Sequence, residues 1–201
     1  MTEDTRFFRC HGGRRDGVPL VSPHTACAEA AAPPGSRALI RIRPFIAADA
    51  DRLAEVFSRA VREGAAGAYN EAQRRAWASA PDAPPAWNER LGAEITLVGE
   101  RDGRVAGFMT LAHDGHIDLA FVLPEEMGRG LAAALHDRVV AEAQARRMSR
   151  LTTEASIIAR RFFLKQGWRE LSEQQIELRG VLLTNYVMEK RLTALAPAAD
   201  A

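Results

Sequence analysis

The stretch from His116 to Arg146 narrows the fold more than any other part of the chain. His116-Ile117-Asp118-Leu119-Ala120-Phe121-Val122-Leu123 reads as a strand closed by Pro124. Gly128-Arg129-Gly130 follows. From about Arg129 to Arg146, Leu131, Leu135 and Val139 recur at helical spacing, and Ala143 completes the stripe, so a helix with one buried face is expected. A helix N-terminus exposes unpaired N–H groups and the positive end of a dipole. Glycines let an anion approach the backbone, so this order of elements suits a pyrophosphate. By itself such a tripeptide more often marks an ordinary strand-to-helix turn.

Other phosphate-binding patterns fit less well. A P-loop is excluded, because no Gly-Lys-Ser/Thr follows. The dinucleotide fingerprint asks for a third glycine where Ala133 stands, an exchange that some variants tolerate, and for an acidic residue near the end of the next strand, where Glu154 is not far off. Against it, the turn follows the fourth strand of a largely antiparallel meander and not the first strand of a parallel unit.

The flanking segments define that meander. Leu39-Ile40-Arg41-Ile42-Arg43 alternates as a half-buried strand ending at Pro44. A helix is expected from Ala48 to Glu63, with Asp49 or Asp51 placed to cap it, and a second from Asn70 to Ala78. Residues 81–85 read as a loop. Ile95 to Gly99 and Val105 to Leu111 flank Asp102-Gly103, a strong hairpin signal. Leu151 to Ala155 reads as a strand, Ser156 caps a helix running to Lys165, and Gly167 stops it. Strands at about 168–178 and 181–189 pair across Arg179-Gly180. The expected order β-α-α-β-β-β-α-β-α-β-β is α/β, a single domain with a mixed, mostly antiparallel sheet of about seven strands and helices on both faces. The domain spans 38–192, with an irregular tail over 1–37 and a short alanine-rich one over 193–201.

Charge and cysteine usage remove several classes of function. The 27 basic and 26 acidic residues leave a formal net charge of +1, so phosphate neutralisation along a nucleic acid is not expected. Cys10 and Cys27 lie in the N-terminal tail and form no four-ligand metal pattern, so no metal is expected and reduced thiols are the simplest reading. No apolar run approaches the roughly 20 residues that span a bilayer. The start lacks a secretory pattern, and no apolar segment follows Arg14-Arg15, so the cytoplasm is the expected location.

Five ordered pieces carry a family resemblance: Ile117 to Pro124 with Gly128-Arg129-Gly130-Leu131-Ala132; Ala155-Ser156 with Ala159, Phe162-Phe163 and Gly167-Trp168; Gly180 to Leu183 with Asn185 to Lys190; Tyr69-Asn70-Glu71-Ala72-Gln73 with Trp77; and Ile40 to Arg43. Together they cover about three quarters of the chain. On them the chain resembles the GCN5-related N-acetyltransferase superfamily, specifically its YafP-like bacterial branch. The resemblance implies acetyl-CoA as co-substrate and a small-molecule or peptide amine as acceptor. It implies that the backbone of Phe121 and Leu123, around Val122, pairs with the pantetheine arm. The N–H groups of Gly128, Arg129, Gly130, Leu131 and Ala132 would hold the pyrophosphate. Ser156 would lie near the pantetheine, and the strands carrying Phe121 and Thr153 would splay apart. A homodimer is left open. Two positions depart from the pattern. Glu125 stands where Gln or Arg is usual and is expected to point to solvent. Phe163 replaces a tyrosine that many relatives use as general acid.

Acetylation of an amine needs a lone pair on nitrogen, hence a base, and donors for the developing oxyanion, for which a strand N–H near Val122 or Leu123 is a source. Glu154 and Asp118 are the candidate bases; their plainer readings are a solvated strand-end carboxylate and a structural acceptor. His113 and His116 are weaker candidates. Tyr69 or Tyr186 could replace the missing acid, and Tyr69 lies where the acceptor pocket forms in this superfamily. Trp77 and Trp87 could wall that pocket or simply pack helices on the sheet.

Overall fold

The computed structural model describes residues 39–79, 84 and 86–193. The chain runs through β1 (Ile40–Pro44), α1 (Ala50–Arg59), α2 (Glu71–Trp77), α3 (Trp87–Ala93), β2 (Ile95–Arg101), β3 (Arg104–Leu111), β4 (His116–Ile117) and β5 (Ala120–Val122). It continues through α4 (Leu131–Ala145), β6 (Arg150–Ser156), α5 (Ile157–Lys165), β7 (Arg169–Leu178) and β8 (Val181–Arg191). The two expected tails, apart from Thr193, and the expected loop at 81–85, apart from Pro84, lie outside the described residues.

The α/β class and the mixed, mostly antiparallel pairing are as expected, but the single sheet of about seven strands is corrected. Eight strands form two four-stranded sheets, β1-β2-β3-β5 and β4-β6-β8-β7. Among the described strands only β4 and β6 pair in parallel. The extra strand arises because 116–123 breaks at Asp118-Leu119. On one side of the break, Leu119 is held by β3: its carbonyl accepts the Thr110 N–H at 2.8 Å, and its N–H donates to Thr110 Oγ1 at 3.1 Å. On the other side, the Ile117 carbonyl accepts the Thr153 hydroxyl of β6 at 2.8 Å. Two residues apart, the strand is claimed by different sheets.

Helices cover both faces, as expected. The stripe Leu131, Leu135, Val139 and Ala143 is fully buried. It sits so close to β2 that a Cβ on Gly99 would lie 3.0 Å from Leu131 Cδ1. Phe108 of β3 is turned to the opposite face from its neighbour Gly107 and packs edge-on against Trp87 of α3 at 5.9 Å between centroids.

Helix α3 has no counterpart in the expected element order. Its N-cap residue Ala86 is left-handed with φ 54° and offers no capping side chain. Tertiary contacts anchor it instead: Trp87 is 3% exposed and donates its indole N–H to Ala50 O at 3.1 Å. Asp49 does not cap α1. Its carboxylate receives both Arg43 nitrogens at 2.7 Å and the Ile46 N–H at 2.9 Å, and the Arg43 hydrogen bonds hold it below the usual carboxylate range. Helix α1 also ends earlier than expected and continues as a π-helical turn, Ala60–Gly64. Helix α2 starts as its sequence suggests, with Asn70 and Gln73 exchanging side-chain and backbone bonds at 2.9 and 3.0 Å.

Candidate functional site

The break in the strand leaves a gap between β5 and β6, which belong to different sheets. A cavity of about 180 Å³ lies there, walled by the π turn, Trp77, Phe108, Phe121, the turn before α4, and α5. Phe121, Val122, Gly128, Ala132, Ser156 and Phe163, all singled out in the sequence, line it together. Leu123 and Leu131 are buried beside them and do not line it.

The turn before α4 is built to leave donors free. Gly128 and Gly130 adopt φ of 77° and 91°, a region that side chains disfavour. The Arg129 N–H is spent on Glu126 O at 3.1 Å, which removes it from the expected set of phosphate donors. Among the described residues, the N–H groups of Gly128, Gly130, Leu131 and Ala132 have no protein acceptor. The two glutamates before the turn are neutralised. Glu126, 5% exposed, pairs with Arg101 at 2.5 Å, and Arg101 also donates to Arg129 O at 2.9 Å. Glu125 is exposed, as expected, and Arg59 grips it there at 3.0 and 3.1 Å. Its own backbone N–H and Arg59 lower its carboxyl below the ordinary range.

The expected backbone arm is corrected by the register. Leu123 donates its N–H to Ala106 O at 2.8 Å, and Leu119 and Phe121 point the same way, toward β3. The edge open to the gap therefore belongs to Ala120 and Val122, not to Phe121 and Leu123. Of the two N–H groups considered as oxyanion donors, that of Val122 is the one that faces the gap.

The catalytic candidates fare unequally, and none of them lines the cavity. Tyr69 is 4% exposed, and its hydroxyl is committed twice, donating to Thr184 O at 2.7 Å and accepting the Ile157 N–H at 3.0 Å. Burial pushes its phenol upward. Asp118 is tied to Arg90 of α3 by two contacts, one of them at 3.2 Å. Glu154 is exposed on β6 and carries no hydrogen bond or ion pair among the described residues. It faces the same side of β6 as Ser156, whose hydroxyl caps α5 by accepting the Ala159 N–H at 3.1 Å. His116 bonds Thr152 Oγ1 at 3.1 Å, and His113 is exposed. Trp77 walls the cavity, whereas Trp87 packs behind it.

Two features had no reading in the sequence. The π turn places Ala60, Val61, Gly64 and then Ala65 along the cavity, and only their small size hinted at it. Glu94 holds one buried carboxylate oxygen without a partner, and burial pushes its carboxyl upward. No group of three His, Cys, Asp or Glu able to hold a metal occurs among the described residues, and no described helix is long and apolar enough to cross a membrane.

Residues 65–190 match the model of the acetyltransferase (GNAT) domain. The chain is 33% identical over 149 residues to the uncharacterized N-acetyltransferase YafP of Escherichia coli (strain K12), covering 74% of this chain and 94% of that one. It is 32% identical to a Rhodopseudomonas palustris protein described as a GCN5-related N-acetyltransferase: aminotransferase, class-II; the TM-score is 0.70, with 76% and 95% of the two chains covered. The fold extends to the PaiA N-acetyltransferase of Thermoplasma acidophilum in complex with coenzyme A, at 16% identity, TM-score 0.59 and coverages of 77% and 99%. It also extends to YncA of Salmonella typhimurium, a putative acetyltransferase with its cofactor acetyl-CoA, at 20% identity, TM-score 0.56 and coverages of 81% and 99%. With its open strand edge, its unpaired turn and these matches, the chain belongs to the GCN5-related N-acetyltransferase family, in its YafP-like branch.

Proposed function

We propose that this protein transfers the acetyl group of acetyl-CoA to a primary amine by direct attack within a ternary complex. The observation that carries the reading is the set of unpaired N–H groups at Gly128, Gly130, Leu131 and Ala132, beside an apolar cavity in the gap between two sheets. The residues present fit the ligand. The free donors suit a pyrophosphate, Glu125 and Glu126 are held by arginines, and no acidic side chain lines the cavity. The Salmonella and Thermoplasma proteins, whose structures contain acetyl-CoA and coenzyme A, support the same choice. When bound, acetyl-CoA supplies an activated thioester.

The chain's own residues divide the remaining work. The turn holds phosphate, and the open edge of Ala120 and Val122 offers amide partners to an extended arm. The Val122 N–H stabilises charge developing on the acetyl oxygen. Ser156 and Phe163 shape the wall. Of the candidate bases, Glu154 is exposed and unpaired among the described residues while Asp118 is occupied by Arg90, so Glu154 receives the amine proton through water. In the balance of the reaction the nitrogen gains an acyl carbon and loses one proton, the carbon–sulfur bond breaks, and the thiol gains a proton. The proton lost by nitrogen suffices, so no dedicated acid is needed at Phe163.

A second reading, an acyl-CoA-binding or interaction module without turnover, is favoured by Phe163 and by the commitment of the Tyr69 hydroxyl. Thiol release from acetyl-CoA across an amine panel, with Glu154→Gln as comparison, separates the two. Turnover that falls on the order of 100-fold in the variant, with unchanged affinity for acetyl-CoA, supports the enzyme and its base. Tight binding of acetyl-CoA without thiol release on any amine supports the module.

A further inference from the structure

The sheet β4-β6-β8-β7 has one covered face and one open face. Helix α5 covers the first: Arg160 stacks over the Tyr186 ring at 4.5 Å, and Tyr186 stands opposite Ala155. Helix α4, which carries the phosphate turn at its start, packs beside α5, with the His136 and Phe162 rings 5.9 Å apart between centroids. Side chains alternate along a strand, so Arg150, Thr152, Glu154 and Ser156 of β6 point to the other face. Val187 and Glu189 of β8 join them, with Ser172 and Gln174 of β7. Thr152, Glu154, Val187, Ser172 and Gln174 retain open surface there. Of these residues only Ser156 lines the cavity in the gap, so the face adjoins that cavity and lies outside it.

The far end of this face carries surplus positive charge. The buried Glu189 carboxylate is neutralised by Arg169 at 2.7 Å. Arg150 and Arg191 stand 3.8 Å from the same carboxylate, and no other carboxylate among the described residues lies nearer to either. Three arginines around one glutamate leave two charges unbalanced. Arg150 and Arg191 are also directly opposite each other across β6 and β8, an arrangement of like charges that costs stability. An anion between them would offset both. At the near end, next to the gap, Glu154 is exposed and carries no ion pair among the described residues. Four residues of β6, about 13 Å, separate it from Arg150. An extended peptide of about four residues spans that distance, and Thr152, Ser172 and Gln174 offer hydrogen-bonding groups to its amides.

We propose that this open face seats the acceptor, and that the acceptor is the N-terminal amine of a peptide with acidic side chains near its fourth and fifth residues. The amine lies at the gap beside Glu154 and Ser156, and the acidic side chains lie between Arg150 and Arg191. This rests on the acetyl-transfer reading and specifies its substrate class.

The test measures kcat/KM with acetyl-CoA for three C-terminally amidated heptapeptides. They share an initial Ser-Ala-Gly and carry Glu-Glu, Gln-Gln or Lys-Lys at the next two positions. Binding of coenzyme A is followed separately by calorimetry. The acidic peptide should exceed the neutral one by about 10-fold and the basic one by more, with the spread shrinking as salt rises. Arg150→Ala combined with Arg191→Ala keeps Arg169 on Glu189 and should bring the acidic-to-neutral ratio near unity. Arg191→Glu, at the most exposed of the three arginines, should turn the order toward Lys-Lys, an inversion that a purely structural arginine would not produce. Equal kcat/KM for the three peptides, or a ratio that neither variant moves, overturns the docking face and leaves acetyl transfer standing. Acetylation of small amines with no peptide accepted does the same. Binding of a single-stranded oligonucleotide that the double variant loses, without a peptide preference, gives the arginines to nucleic acid and overturns it as well. Failure of coenzyme A to bind, with no amine acetylated, removes the acetyl-transfer reading itself and the docking face with it.

Discussion

Tyr69 donates its hydroxyl to the carbonyl of Thr184 at 2.7 Å, joining two points 115 residues apart. The same oxygen accepts the N–H of Ile157 at the head of α5, so one phenol ties the connection before α2 to β8 and to α5. Tyr69→Phe leaves both backbone groups short of a partner, and a loss of about 1–3 kcal/mol in urea unfolding is expected. Because the hydroxyl serves structure, kcat on any accepted amine should stay within a few-fold of the parent. A collapse of kcat without a loss of stability would assign Tyr69 to chemistry.

Gly130 takes φ of 91°, and a side chain there would meet nothing nearer than Ile40 Cδ1 at 3.9 Å. The obstacle to substitution is the backbone conformation, which costs other residues roughly 1–2 kcal/mol. Gly130→Val should keep its far-UV circular dichroism yet lose on the order of 10-fold or more in coenzyme A affinity by calorimetry, as the turn shifts its donors. Unchanged affinity would remove this turn from the binding site.

Gly115 presents the opposite case. A Cβ there would stand 2.6 Å from the carbonyl oxygen of Arg150, at φ 87°. The Gly115 carbonyl also accepts the Thr152 N–H at 3.0 Å, so this close approach sets the parallel pairing of β4 with β6. Gly115→Ala should destabilise by about 2–3 kcal/mol, with Tm falling roughly 2–4 °C per kcal/mol. Amide exchange should quicken first at Ile117 and Thr153.

His136 is 3% exposed, and its Nε2 accepts the Trp168 indole N–H at 2.9 Å. Burial depresses its pKa, against an opposing pull from Asp137 and with a further push from Lys190. The unfolded chain therefore binds a proton first as pH falls. Stability should be level above about pH 6.5 and decline below it, by at most about 1.4 kcal/mol per pH unit. Urea unfolding at pH 7.5 and 5.5 should show this decline in the parent and a smaller one in His136→Gln. The comparison between the two cancels Glu94, whose raised carboxyl acts with the opposite sign.

Much of the fold was legible because its signals are local. The stripe on α4, the start of α2 at Asn70, the Ser156 cap and the Asp102-Gly103 turn each sit within a few residues, and each is found in place. The hidden parts depend on partners far away in sequence. Helix α3 is held by Trp87 reaching Ala50, and the strand break is imposed by Thr110 and Thr153. At the site, the glycine turn could be placed from sequence because glycine marks backbone shape directly. The direction in which Phe121 and Leu123 present their amides could not, since it depends on their pairing with β3. Likewise, nothing near Asp118 or Tyr69 in the sequence announced that Arg90 and Thr184 would occupy them.

The divided strand has a thermodynamic consequence. Its second half, β5, is bonded to β3 on one side only, so its other edge remains a row of backbone groups awaiting partners. A ligand bearing amides along an extended arm would act as a removable ninth strand, bridging two sheets that the polypeptide itself leaves apart. By linkage, ligand at 100 times its Kd would add about 2.7 kcal/mol to the unfolding free energy, and Tm would climb with the logarithm of its concentration. Resistance to unfolding in such a molecule tracks the supply of its co-substrate.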